Sequence, residues 1–150
     1  MRKGIVLLPF AFALAAAAQQ MPNFSGKWVL DSSRSNVGKT ERVDEIEHKD
    51  PILEQSIAAR VEGSEHTSKL SYTTDGRENA NALPGGKLMK SRSHWDGKRL
   101  VIEARVEQAA GDVASREVWE LSASQRVLTV TRVLRTPRQT ISNKLVFNKK

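Results

Sequence analysis

The chain has 150 residues, of which 24 are basic and 17 acidic, giving a formal charge of +7, and it has no cysteine. That length suits one domain with one core. The missing cysteines exclude a disulfide framework, thiol catalysis and lipid attachment at a cysteine. Basic and acidic residues are interleaved along nearly every segment. The local basic concentrations at 87–92, 132–138 and Lys149-Lys150 bring no aromatics for base stacking, so a specific nucleic-acid partner is not expected.

At the N-terminus, Arg2 and Lys3 precede an apolar run from Ile5 to Ala15 and then small residues. An Ala-x-Ala site falls at Ala16-Ala17-Ala18, so residues 1–18 read as a secretory signal peptide cleaved near Ala18. The run is shorter than the roughly 20 apolar residues that cross a bilayer, and no later segment is apolar enough to do so. The expectation is a periplasmic or secreted protein. Its mature part, residues 19–150, would form one domain with no transmembrane segment. Removing residues 1–18 takes away two basic and no acidic residues and lowers the formal charge to +5.

After a polar lead, residues 26–31 read as a first strand with Trp28 and Leu30 on one face, and 32–39 as a loop of turn formers. From Thr40 onward, strand-like runs recur about every ten residues between turn signals, the spacing of an all-β protein. Asp50-Pro51, Glu62-Gly63-Ser64, Pro84-Gly85-Gly86, Gly111-Asp112 and Thr136-Pro137-Arg138 mark turns, and residues 122–125 form a further, weaker one. Asp75-Gly76 and Asp96-Gly97 carry the Asp-Gly signal of type I′ hairpins. Residues 77–82 read as a polar stretch leading into the Pro-Gly-Gly turn.

Period-two alternation supports the strands. Leu100, Ile102, Ala104 and Val106 share a face, as do Ile141, Leu145 and Phe147, Trp119 and Leu121, and Leu70 and Tyr72. In 126–135, apolar residues fall on both faces. No segment after residue 18 sustains a helical period. The expected fold is an antiparallel up-and-down meander of about eight to ten strands. Closure into a barrel would remove its edges, with a sandwich as the alternative.

Phe24-Ser25-Gly26-Lys27-Trp28-Val29-Leu30 resembles the Gly-x-Trp opening of lipocalins and fatty-acid-binding proteins, and Trp95-Asp96-Gly97-Lys98 resembles a hairpin of the fatty-acid-binding branch. Phe24–Leu30 and Tyr72–Gly76 are also similar to small exported bacterial proteins of unknown function. The resemblance implies a lipocalin-like (calycin-type) barrel over residues 22–148. It implies Trp28 as a plug at one barrel end, covered by Lys144 or an arginine of 132–138 through a cation–π contact. The family's Arg-x-Tyr carboxylate clamp is missing, since Leu145 and Phe147 stand there.

Chemistry-bearing motifs are sparse. His48, His66 and His94 read as separate surface histidines, and no metal site is expected. Glu41, Asp44, Glu45 and Glu47 read as a solvated face, and Gly85-Gly86-Lys87 as a turn that lacks phosphate-loop spacing. There is no nucleophile elbow, so no catalytic residues and no cofactor are expected. Eight or more strands can enclose an interior that is filled or left open for one small ligand. The leading expectation is a non-enzymatic binding protein for a small apolar or amphipathic molecule, with Tyr72, Trp95 and Trp119 nearest the ligand. The alternative is a filled-core module acting through its basic surface on an anionic polymer, a membrane or a protein.

Overall fold

The computed structural model describes residues 20–150; the expected signal peptide lies outside them. Ten strands follow in order: β1 (Gly26–Leu30), β2 (Thr40–Lys49), β3 (Ile52–Val61), β4 (Ser64–Thr73), β5 (Glu78–Ala82), β6 (Leu88–Asp96), β7 (Arg99–Val106), β8 (Val113–Leu121), β9 (Val127–Arg135) and β10 (Thr140–Lys149). A short 3₁₀ turn, Pro84–Gly86, links β5 to β6. Every pairing is antiparallel, in the order β4-β3-β2-β1-β10-β9-β8-β7-β6-β5. Strands adjacent in sequence therefore pair, except β4 with β5, while β1 and β10 join the two ends of the chain. The sheet curls into a nearly closed, all-β barrel. Among the described residues, no helix is long and apolar enough to cross a membrane.

The one gap in the ladder lies between β4 and β5. Asn81 spans it with its side chain: its amide donates to the Ser71 carbonyl at 2.9 Å and accepts from the Ser71 N–H at 2.8 Å. Asn79 adds a bond to the Thr73 hydroxyl at 2.8 Å. These two asparagines come from the stretch read as polar loop, which is strand β5 instead. Short polar residues with low strand propensity obscured it, and its apparent polarity is what lets it serve the seam.

The turn chemistry also differs from expectation. Type I′ needs positive φ at both central residues. Glu62 and Gly63 have φ of 49° and 86°, and they sit between the paired Val61 and Ser64, so the I′ geometry is here. At Asp96-Gly97, Asp96 pairs with Arg99 as part of the ladder, and positive φ is confined to Gly97. Asp75-Gly76 connects β4 and β5, which do not pair with each other, and so closes no ladder.

Alternation assigns the faces. Inward on β2 are Arg42, Asp44, Ile46 and His48; on β8, Ser115, Glu117, Trp119 and Leu121; on β9, Leu128, Val130, Arg132 and Leu134. The split apolar pattern of 126–135 resolves accordingly, because Leu128 and Val130 enter the core while Val127 and Val133 lie on the outside and are half-covered.

Candidate functional site: the barrel interior

The two ends of the barrel are built differently. At the end carrying the β2–β3, β6–β7 and β8–β9 turns, inward residues are sealed into an apolar floor. Phe24, Trp28, Leu53, Leu100, Trp119 and Leu128 are each at most 1% exposed. Phe24 organises this floor, stacking on Trp95 at 5.9 Å and on His48 at 5.7 Å and meeting Trp119 edge-on at 5.6 Å. Aromatic pairs at such separations add about 0.5–1.5 kcal/mol each beyond their buried area.

Trp28 lies within the floor, its indole N–H donating to the Phe24 carbonyl at 2.8 Å. A cation does cover its ring, but it is Lys149, whose ammonium stands 5.5 Å from the centroid. Lys144 is unsuitable because it sits on the outward face of β10. Lys149 pairs with Trp28 across β1 and β10, and its stem crosses Gly26, where a Cβ would come 2.6 Å from Lys149 Cε. Gly26 has φ of +141° and no Cβ, so the glycine of the Gly-x-Trp stretch gives the lysine passage to the ring.

His48 corrects the surface-histidine expectation. It is 3% exposed, accepts the Phe24 N–H on Nδ1 at 3.2 Å, and contacts Asp50 through Nε2 at 3.3 Å. The Phe24 backbone donor requires a lone pair on Nδ1, which leaves Nε2 to carry the proton toward Asp50. His66 and His94 are exposed. Thr74 also donates to Asp50. Burial alone would raise the Asp50 pKa, but hydrogen bonds from Thr74 and His48 outweigh it and hold the carboxyl below its usual value.

Toward the opposite end, inward-facing side chains are only half-buried: Ile57, Leu70, Ala104, Ser115, Leu134 and Ile141 all keep some exposure despite pointing into the barrel. Several are small. Inward residues are thus sealed at one end and only partly buried at the other.

Between floor and mouth lies a polar tier that the sequence reading missed. On one wall, Arg42 grips Asp44 with two hydrogen bonds, Nε–Oδ1 at 2.7 Å and Nη2–Oδ2 at 2.8 Å, and Gln55 donates to the same carboxylate at 2.8 Å. Asp44 is 2% exposed and does not belong to a solvated face; only Glu41, Glu45 and Glu47 point outward. Arg42 also stands 5.4 Å over the Phe147 ring. Burial would lower the Arg42 pKa, but the Asp44 bonds outweigh it and raise it.

On the facing wall the register aligns Ser93, Ile102, Glu117, Arg132 and Asn143 in one row across β6 to β10. Glu117 accepts the Trp119 indole N–H at 2.8 Å, and Arg132 donates to Asn143 at 3.2 Å. Burial holds the Tyr72 phenol well above its ordinary pKa, with the Glu117 charge adding to the shift, so it is a neutral hydroxyl. The Glu117 charge contributes to the raised pKa of both Tyr72 and Arg42.

The residues singled out from sequence therefore occupy different levels. Trp95 and Trp119 belong to the floor, Trp119 reaching up to Glu117, while Tyr72 joins the polar tier. A usable signal existed for the missed residues: Arg132 shares parity with Leu128 and Val130, Glu117 with Trp119, and Asp44 with Ile46. A charge on an apolar parity marks a buried polar group. Arg132 belonged to a run read as basic surface.

Outside, Lys90, Arg92, Arg105, Arg116 and Arg135 converge with Glu78 and Glu103 around a groove of about 680 Å³ over β5–β9.

No protein-family model matches the chain, and no curated protein matches it in sequence. Solved structures do match in shape. The REP1-NXSQ fatty acid transporter aligns with a TM-score of 0.60 at 16% identity, over 85% of this chain and 96% of that one. A zebrafish ileal bile acid-binding protein complexed with cholic acid aligns at 0.59 and 17%, over 85% and 98%. Secretory abundant heat soluble protein 4 from Ramazzottius varieornatus aligns at 0.59 and 14%, over 89% and 99%. The fold is thus that of the lipocalin-like (calycin-type) barrels to which fatty-acid-binding proteins belong.

Proposed function

We propose that the protein is an exported, non-enzymatic carrier that holds one small amphipathic molecule inside the barrel, with Tyr72, Trp95 and Trp119 nearest the ligand and Trp28 closing the end below. The observation that carries this reading is the graded interior: inward side chains are sealed at one end and half-exposed at the other, with a polar tier between. A packed core would bury its inward faces along the whole length. An apolar lining with few placed polar groups is the usual make-up of a small-molecule site. The shape neighbours include proteins named for fatty-acid transport and bile-acid binding, which supports the reading by analogy of fold. The N-terminal signal pattern supports export.

Protein unfolded and refolded without lipid should bind a neutral hydrophobic dye such as Nile red saturably, at one site per chain. A folded sample that binds no dye overturns the reading.

The basic groove over β5–β9 favours a second reading, in which the outer surface docks an anionic polymer. Lys90 and Arg135 have no acidic partner within ion-pair distance there. Such binding would weaken steeply with salt.

A further inference from the structure

We infer that the polar tier selects a dipolar head group, carrying a positive and a negative part, in preference to a simple anion or cation. This rests on the carrier reading above and names its ligand class. Arg42 and Asp44 neutralise one another through their paired hydrogen bonds, and Gln55 occupies a further position on the same carboxylate. They leave no net charge on that wall.

The facing wall keeps two opposite charges apart. Glu117 and Arg132 are cross-strand partners on one face, yet no contact within 4 Å joins them. Each is held by a neutral side chain, Trp119 and Asn143, and among the described residues the Arg132 Nε has no hydrogen-bond partner. In the same row the Ser93 hydroxyl is fully buried and unpartnered, and one row nearer the mouth so is that of Ser91. Buried polar atoms are normally satisfied, and an orphaned set on one interior wall marks where a ligand's polar atoms belong. Glu117, Arg132 and Asn143 are only partly buried, and in the carrier reading the row faces the ligand from below the mouth.

Charge balance then decides the class. A fatty carboxylate would satisfy Arg132 but add a buried negative charge beside Glu117, and an alkylammonium would do the converse beside Arg132. Like charges brought together out of water are unfavourable. A head group with a protonated amine for Glu117 and an acid group for Arg132 satisfies both and leaves the interior neutral. Its alkyl part would lie against the apolar wall.

The test is displacement of Nile red from the purified chain by ligands sharing one dodecyl chain, all below their micelle concentrations: dodecanoate, dodecylammonium, dodecanol and zwitterionic N-dodecylglycine. N-Dodecylglycine should displace the dye at about tenfold lower concentration than any of the others, the worth of one added charge-assisted hydrogen bond. Glu117→Gln should move the preference toward dodecanoate, and Arg132→Gln toward dodecylammonium, each read as the ratio of displacing concentrations measured against that variant's own Nile red affinity. Dye binding in which dodecanoate competes as well as N-dodecylglycine overturns the head-group assignment alone. So does an unchanged preference in a folded Glu117→Gln variant. Absence of dye binding overturns the carrier reading and this inference with it.

Discussion

Asn81 stands in for a missing strand partner of Ser71, accepting its N–H at 2.8 Å and donating to its carbonyl at 2.9 Å across the only unpaired seam among the described strands. A side-chain amide offers the same donor–acceptor pair as a peptide, so one residue closes at this point what β4 and β5 leave open.

Asn81→Ala removes both bonds and should lower stability by about 1–3 kcal/mol, as expected when a covered polar pair loses its partner. Asn79→Ala, which loses its bond to the Thr73 hydroxyl, should cost less. Urea unfolding gives the stabilities, and hydrogen exchange should show faster exchange of the Ser71 amide in Asn81→Ala alone. Equal effects of the two substitutions would contradict the seam role.

The Arg42–Asp44 pair predicts non-additivity. Removing one partner leaves a buried, uncompensated charge, so Arg42→Met and Asp44→Leu should each destabilise by about 3–5 kcal/mol. The double variant should be more stable than either single one. A double-mutant cycle by chemical denaturation checks this; simple additivity would mean that the two side chains act independently.

Acid stability carries the mark of Asp50. Hydrogen bonds from Thr74 and His48 overcome its burial and hold its pKa below the ordinary 3.8. A carboxyl with a depressed folded-state pKa contributes stability that is fully present above the unfolded value. That contribution is lost as pH falls through the folded one. Stability should therefore decline below about pH 3.8, and Asp50→Asn should flatten part of that decline. Thermal unfolding against pH measures it. An identical acid slope in the variant would remove Asp50 from the account.

At the sealed end, Lys149→Met keeps the aliphatic stem but loses the cation over Trp28, and should cost about 0.5–1 kcal/mol. Gly26→Ala should cost more, because its φ of +141° is strained for a residue with a Cβ and that Cβ meets Lys149 Cε. Combining it with Lys149→Ala should relieve the steric part only. Full rescue would show that the backbone of Gly26 bears no strain.

Much of the fold was legible because alternation survives wherever one face is buried: Leu100–Val106 and Trp119–Leu121 carry it openly. β5 was hidden because Asn79 and Asn81 are chosen for hydrogen bonding across the seam and not for strand propensity. The turn types were misjudged because Asp-Gly permits positive φ at both positions without requiring it, while Glu62 accepts it under the constraint of a two-residue connection. Within the candidate site the aromatics were visible as large apolar residues, but the polar tier was not. Arg42, Asp44, Glu117 and Arg132 look like ordinary surface charges until register and strand parity place them inside, and only the folded wall shows which of them meet. The exchange of Lys149 for Lys144 over Trp28 has the same origin, since only the β1–β10 register sets that lysine opposite the ring.

Whether the interior is open above the floor shows at Ala104. This small residue faces inward from β7, in a row with Ser91 and Ser115, and is half-buried. Calorimetric unfolding and Nile red titration of Ala104→Phe together form one measurement of the space in front of it. An open interior accepts the ring with little change in stability and loses the dye site. A filled interior would instead be overpacked, losing about 1–3 kcal/mol, and that result would contradict the account.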